Sequence, residues 1–82
     1  LDVHEASGVF NRAFYLLSKK PNWSVRKAFQ VMLDANMNYW TSGTHFEPAA
    51  CGVIQAAQDR HYQKKDVIDA FKSVGVICPI KI

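Results

Sequence analysis

Apolar residues recur every three or four positions through most of the chain, and no segment alternates as a half-buried strand does. Four segments have this helical spacing, at about 7–18, 24–40, 44–61 and 64–74. Their predicted inward stripes are Phe10, Ala13, Phe14 and Leu17; then Val25, Ala28, Phe29, Met32, Ala35, Tyr39 and Trp40; then Ala50, Val53, Ile54 and Ala57; and last Val67, Ala70, Phe71 and Val74. The pattern predicts an all-α fold of four helices with short connections and no internal repeat.

Local signals predict where the helices begin and end. Ser7 and Ser24 are predicted N-caps of the first and second helices. The pattern T-x-x-E beginning at Thr44 has the form of a capping box for the third helix, and Pro48 fits only in the first turn of that helix or just after it. Gly75 stands where a left-handed C-terminal cap is expected after the fourth helix.

Composition and charge narrow the possible partners. The 82 residues, 49% of them hydrophobic, are enough for one small domain with a core of marginal stability. The net charge of +3 is scattered in pairs such as Lys19-Lys20 and Lys64-Lys65, which is typical of solvated helix faces, so neither a nucleic-acid partner nor a membrane span is predicted. A helix-turn-helix DNA-binding protein is a weaker alternative, which predicts DNA binding that depends steeply on salt. Because the chain begins at Leu1 without a methionine, we expect an excised fragment or a mature product.

The two cysteines, Cys51 and Cys78, are either one disulfide in an oxidising compartment or two unrelated thiols. No candidate base lies near Cys51 in the sequence, which argues against a nucleophilic role. A disulfide would tie the tail after the fourth helix back to the third helix, with a stabilisation of about 3.5 kcal/mol in the chain-entropy model. We therefore expect the disulfide.

The histidines do not form a metal-binding pattern. His4-Glu5 resembles the start of the zinc-peptidase motif H-E-x-x-H, but position 8 is glycine, so no second ligand follows. His45 and His61 are far from His4 and from each other, and no C-x-x-C spacing is present. We predict no metal site within this chain and expect His45 and His61 to lie exposed at helix ends.

Asp2 and His4 form a possible catalytic pair. In an extended lead-in to a helix, residues i and i+2 point to the same side, so Asp2 could accept a hydrogen bond from one ring nitrogen of His4. The bond would fix the imidazole tautomer and leave the other nitrogen as a donor. Taken alone, an Asp and a His with this spacing at the end of a chain are usually just solvated.

Several segments together resemble one enzyme family. They are D-V-H-E-A-S-G-V-F-N-R-A-F-Y-L-L, W-S-V-R-K-A-F-Q-V, A-N-M-N-Y-W-T, A-A-C-G-V-I-Q-A-A-Q-D and D-V-I-D-A-F-K-S-V-G-V. In this order they resemble the C-terminal helical domain of thermolysin-like zinc metalloendopeptidases, in the pseudolysin and vibriolysin branch secreted by Gram-negative bacteria. The resemblance covers roughly positions 1–79.

The resemblance implies roles for individual residues. In the branch pattern D-V-H-x-x-S-G, His4 is the histidine that donates a hydrogen bond to the oxyanion formed when zinc-bound water attacks the scissile carbonyl. Asp2 is its implied orienting carboxylate, and Cys51 and Cys78 match the C-terminal disulfide of the branch. Glu5 and Ala6 differ from the residues that are common at these positions in the branch. Because both flank His4, they could alter the contacts with substrate beside it.

The resemblance also implies what this chain lacks. The zinc ligands, including H-E-x-x-H, and the structural calcium sites belong to an N-terminal zinc-binding lobe and its neighbourhood, which this chain does not contain. We therefore expect a secreted, extracellular bacterial endopeptidase acting on polypeptides, of which residues 1–82 form the C-terminal helical lobe, bind no metal and are inactive alone. The alternative is a non-catalytic secreted helical binding module.

Overall fold

The computed structural model describes residues 3–40 and 44–80, and it describes side chains from Gly8 onward. The elements are α1 (Val3–Ser18), α2 (Val25–Asn38), α3 (Phe46–Asp59) and α4 (Lys64–Lys72). The described residues contain no strand. The prediction of an all-α fold with four helices is confirmed.

The helices form a ring in which each packs against two neighbours. α1 contacts α2 and α4, and α3 contacts α2 and α4. The buried core inside the ring is Ala13, Leu17, Ala28, Val31, Ala35, Ala50, Val53, Ile54, Ala56, Ala57, Val67, Ala70, Phe71 and Val76. Half of these residues are alanines, whose short side chains let the helix backbones approach closely.

The start of α2 is as predicted, and the starts of α1 and α3 are not. The Ser24 hydroxyl caps α2 by accepting a hydrogen bond from the Lys27 amide at 3.1 Å. The N-cap of α3 is His45 rather than Thr44, so the predicted capping box is wrong. Pro48 gives the reason. With a cap at Thr44 it would be the fourth helical residue and would lack the N–H that must bond to the cap carbonyl, whereas with a cap at His45 it lies within the first three positions.

α1 begins four residues earlier than the local signals indicate. Its first residue is Val3, so Ser7 lies inside the helix and the prediction that it caps the first turn is wrong. No proline precedes Ser7, and the residues between have acceptable helix propensity, so nothing in that stretch stops the helix. Gly8 is consequently a helix-interior glycine, which is less stable than alanine at such a position by about 0.5–1 kcal/mol.

α3 and α4 end in the same turn. His61 (φ 62°) and Gly75 (φ 83°) have left-handed backbone conformations. The amide of the residue that follows each one donates a hydrogen bond back into the helix, from Tyr62 to the Ala57 carbonyl at 2.9 Å and from Val76 to the Phe71 carbonyl at 3.0 Å. This is the Schellman arrangement that satisfies the last carbonyls of a helix. The role predicted for Gly75 is confirmed. Both helices end two residues before the predicted limits because those last residues form the closing turn.

The predicted inward position of the aromatic residues is only partly correct. Phe29 and Tyr39, both in the predicted inward stripe of the second helix, are 55% and 42% exposed. The inner face of α2 consists of small residues, Ala28, Val31 and Ala35, which hold it close to its neighbours. Since apolar residues occupy more than one face of α2, their spacing alone did not show which face is buried.

α2 therefore carries an apolar ridge on its outer side, made of Val25, Phe29, Leu33 and Met37. These residues recur at intervals of four and are 42–74% exposed. A second apolar surface is a groove of about 390 Å³ between α4 and the tail, lined in part by Ile54, Ile68, Phe71, Ile77 and Ile80. Apolar surface of this kind is typical of contacts with another protein segment.

The predicted disulfide between Cys51 and Cys78 is present. It joins α3 to the tail with a Cα–Cα distance of 5.1 Å, within the usual range for such bonds. The bond closes a loop that includes the whole of α4. The position of α4 in the ring is thus fixed covalently on one side.

Removing this bond is expected to destabilise the domain strongly. A disulfide stabilises a fold by reducing the conformational entropy of the unfolded chain, and for the sequence separation of 27 this stabilisation is about 3.5 kcal/mol. The double substitution Cys51→Ala with Cys78→Ala is therefore expected to lower the free energy of unfolding by about that amount, measured by urea denaturation followed by circular dichroism. Reductant should lower the midpoint of the parent and leave that of the double variant unchanged. Equal midpoints for the oxidised parent and the double variant would contradict the expectation.

Candidate functional site

His4, the main candidate from the sequence, lies in the first turn of α1. Its backbone is helical, its side chain is outside the description, and Asp2 lies outside the described residues. The extended lead-in expected for His4 is therefore wrong. The argument from an extended spacing no longer supports a bond between Asp2 and His4. The roles of both residues remain predictions.

Helical register places position 4 on the outer side of α1. Positions 4, 8, 11 and 15 follow one another at intervals of three and four and share one side of the helix. Gly8, Asn11 and Tyr15 are all exposed, whereas Ala13 and Leu17 on the other side are fully buried. The described part of the domain thus leaves Gly8, Asn11 and Tyr15 uncovered, and position 4 is in helical register with them.

An aromatic cluster holds the first half of α1 in place. Phe10 stacks on Trp40 with ring centroids 5.4 Å apart, and it meets Phe46 and Phe71 edge-on at 5.8 and 5.7 Å. Such pairs add about 0.5–1.5 kcal/mol each beyond their burial. The cluster joins α1 to the second residue after α2, the first residue of α3 and the end of α4. Position 4 lies six residues before Phe10 on the same helix.

Trp40 is fixed against α3 by a hydrogen bond and by close packing. Its indole Nε1 donates to the Ala49 carbonyl at 2.9 Å. A Cβ added at Gly52 would lie 3.0 Å from that nitrogen and 3.1 Å from Cβ of Tyr39. Glycine at position 52 therefore allows the indole ring to lie flat on the helix and still reach Phe10.

A second cluster fixes the other end of the bundle. The indole Nε1 of Trp23 donates to the Asp66 carboxylate at 2.8 Å, and its ring meets Tyr62 edge-on at 5.4 Å. The Lys27 ammonium lies 4.7 Å from the centroid of the Tyr62 ring, whose hydroxyl donates to Gln30 at 2.8 Å. These contacts hold the connection between α1 and α2 against the start of α4.

Charged groups at the surface join α2 to α3. The Tyr39 hydroxyl donates to the Asp59 carboxylate, which also accepts from Gln55 at 3.0 Å, and Arg60 pairs with Asp34. The bond from Tyr39, and then that from Gln55, hold the pKa of Asp59 below its ordinary value, while the same bond to Asp59 raises the pKa of Tyr39. All these groups are near solvent, so their contribution to stability is small.

The described residues do not form a metal site. No three His, Cys, Asp or Glu side chains among them lie close enough to hold an ion. His45 and His61 are exposed at the two ends of α3, as predicted. The residues described here therefore do not fit a catalytic zinc, which would need ligands from elsewhere.

Sequence reasoning missed Gly52 and the contact between Trp23 and Asp66. The run A-A-C-G before Val53 was the one signal for close packing at Gly52. The partners Trp23 and Asp66 are 43 residues apart, and no local pattern connects them.

Gly52→Ala is expected to destabilise the domain by about 1–3 kcal/mol, because the added methyl group forces Trp40 off α3. Urea unfolding followed by tryptophan fluorescence measures both the stability and the altered environment of the indole. Asn36→Ala, at an exposed position of α2, is the control and should change little. An unchanged unfolding midpoint for Gly52→Ala would show that Trp40 can move without cost.

Acid is expected to remove the contribution of Asp59. A carboxyl group with a lowered folded-state pKa stabilises the fold above its unfolded-state pKa, and this contribution is lost as the pH falls through the folded value. The thermal midpoint of the parent should exceed that of Asp59→Asn near neutral pH, and the difference should shrink below about pH 4. A difference that is constant from pH 7 to pH 2 would contradict this assignment. Thermal unfolding followed by circular dichroism gives both midpoints.

Comparison with known proteins gives a consistent family. Residues 1–76 match the model of the thermolysin metallopeptidase alpha-helical domain. The chain is 59% identical to the virulence metalloprotease of Vibrio anguillarum and 55% identical to the hemagglutinin/proteinase of Vibrio cholerae, in each case over 93% of the chain and 12% of the relative. It is also 55% identical to a zinc metalloprotease of Helicobacter pylori, over 93% of the chain and 29% of that relative. The chain therefore spans a minor part of the length of these relatives.

A helix that could cross a membrane would have to be longer and more apolar than any in the described part of the chain.

Proposed function

The chain belongs to the alpha-helical domain family of the thermolysin metallopeptidases, and we propose that it forms one wall of the active-site cleft of a zinc-dependent metalloendopeptidase. The observation that carries the proposal is the match of residues 1–76 to this family, together with relatives that are named metalloproteases. The intact protease hydrolyses peptide bonds in polypeptides. Residues 1–82 alone are inactive.

His4 stabilises the transition state in this proposal. When water attacks the scissile carbonyl, negative charge develops on the carbonyl oxygen, and an imidazole N–H at position 4 donates a hydrogen bond to it. A preorganised donor of this kind is worth about 2.7–4 kcal/mol. The open outer side of α1, on which position 4 lies with Gly8 and Asn11, supports this role because a substrate could approach there.

Asp2 is the proposed orienting carboxylate for His4. It would act as a positioning residue by holding one tautomer of the imidazole, so that the other nitrogen faces the substrate with its proton. With the extended spacing argument removed, this role rests on the D-V-H-x-x-S-G motif alone. If the pair acts together, Asp2→Asn will lower activity in the parent and will have no further effect in a His4→Ala background.

The proposed zinc and its ligands belong to another part of the protease, the N-terminal zinc-binding lobe, as does calcium. This assignment is supported by the lack of a three-ligand group among the described residues and by the 12% of the Vibrio relatives that the chain spans. The apolar ridge of α2 and the groove beside α4 are surface available for contact with the rest of the protein. The disulfide supports secretion to an extracellular, oxidising environment.

Replacing His4 tests the function directly. In the intact protease, His4→Ala is expected to reduce kcat by about 10²–10³-fold with a smaller change in KM, because the bond strengthens in the transition state. Steady-state kinetics on a peptide substrate measures both constants. Zinc content and the circular dichroism spectrum should match those of the parent.

Asn36→Ala is the control, since Asn36 is exposed on α2 and belongs to no part of the proposed site. It should change kcat by less than about threefold, which corresponds to less than about 0.7 kcal/mol. A His4→Ala protease that retains the parent kcat would overturn the role of His4. An intact protein that contains this domain, binds no zinc and cleaves no peptide would instead favour the non-catalytic binding module.

A further inference from the structure

Gly8 lies inside a helix, and nothing in the described domain explains why this position is a glycine. It is the sixth residue of α1, its φ is not in the left-handed region, and a Cβ built on it meets no atom within 4 Å. An alanine would therefore fit both its backbone and its surroundings. Since glycine is a poorer helix residue than alanine, the choice of glycine costs stability here.

The other two described glycines have clear structural reasons. A Cβ at Gly52 would press against Trp40 at 3.0 Å, and Gly75 has a φ of +83° at the end of α4. Gly8 shares neither condition. No described residue thus requires glycine at position 8, and a group that approaches α1 from outside the described residues would give a reason for it.

The location of Gly8 on α1 indicates which kind of group could contact the helix at this position. Position 8 is one helical turn, about 5.4 Å, from position 4, on the same outer side of α1. Asn11 and Arg12 begin the next turn, and both are exposed. Because glycine has no side chain, the surface is low at position 8, beside these two residues. We refer to this depression as the Gly8 notch.

We infer that the Gly8 notch receives a substrate side chain close to the scissile bond, and that Gly8 is a specificity-determining residue of the protease. The inference rests on the proposed function, in which the carbonyl under attack lies at position 4. A bound extended peptide that runs along α1 advances about 3.3 Å per residue, so in this proposal the notch is level with a side chain one or two residues from that carbonyl. A methyl or larger group at position 8 would occupy the space which that side chain needs.

The test uses the intact protease with Gly8→Ala and Gly8→Leu. The substrates are peptides with glycine, alanine, leucine or phenylalanine at each of the two positions on either side of the scissile bond. At one of these positions, kcat/KM for leucine and phenylalanine should fall at least tenfold in Gly8→Ala and further in Gly8→Leu. For the peptide with glycine there, kcat/KM should stay within twofold of the parent. The thermal midpoint of Gly8→Ala should be equal to or above that of the parent.

Two control variants separate this effect from a loss of structure. Gly52→Ala should lower the thermal midpoint and change kcat/KM for all peptides by the same factor. Asn36→Ala should change neither. If Gly8→Leu does not fold, Gly8→Ala alone decides, because its Cβ has free space within the domain.

Two results would overturn the inference while leaving the proposed function intact, provided that His4→Ala still lowers kcat. Equal losses for bulky and glycine-containing peptides would mean that Gly8 contacts the zinc-binding lobe instead of substrate. Unchanged kcat/KM for every peptide in both Gly8 variants would mean that nothing approaches the notch. If the parent cleaves no peptide, or His4→Ala is fully active, the proposed function itself fails.

Discussion

Packing of Trp40 between α1 and α3 is the constraint on which the rest of the arrangement depends. Its indole reaches the Ala49 carbonyl only because position 52 carries no side chain, and in that position its ring offers a flat surface to Phe10. Phe10 in turn contacts rings from the start of α3 and the end of α4. One tight contact therefore fixes the direction of the first half of α1, and with it the place of its first turn, in which position 4 lies.

α2 packs its small residues into the core of the domain and leaves larger apolar residues exposed on its outer side. Its inner face is made of residues no larger than valine, which brings it close to α1 and α3, while its larger apolar residues lie on the outer ridge. Burying those larger residues internally would give more stabilisation from the hydrophobic effect within the domain. The stability forgone is supplied in part by the bond between Cys51 and Cys78, which does not depend on core size. This distribution is the one expected of a lobe whose outer ridge packs against another part of a protein.

The sequence predicted what depends on local pattern. The four helices, the Ser24 cap, the turn at Gly75 and the disulfide all followed from spacing, capping chemistry or the family resemblance. Predictions failed where two local signals competed, as at Thr44 and Pro48, or where apolar residues occupied several faces, as around Phe29. The pairing of Trp23 with Asp66 joins residues 43 apart, and only the folded topology brings them together. For the site, the sequence identified His4 through the resemblance, but the extended geometry assumed for it was wrong because α1 begins at Val3.

That early start of α1 changes the electrostatics of the proposed site. The first amide N–H groups of a helix have no acceptor within it, and the aligned peptide dipoles place partial positive charge at that end. A developing oxyanion near position 4 would therefore meet the positive end of a 16-residue helix as well as an imidazole donor, and both favour the same charge. An extended lead-in that ended at Ser7 would have placed this helix end about one turn further along the chain. In the proposed function, His4 and the helix that begins beside it would therefore act as one preorganised environment for negative charge.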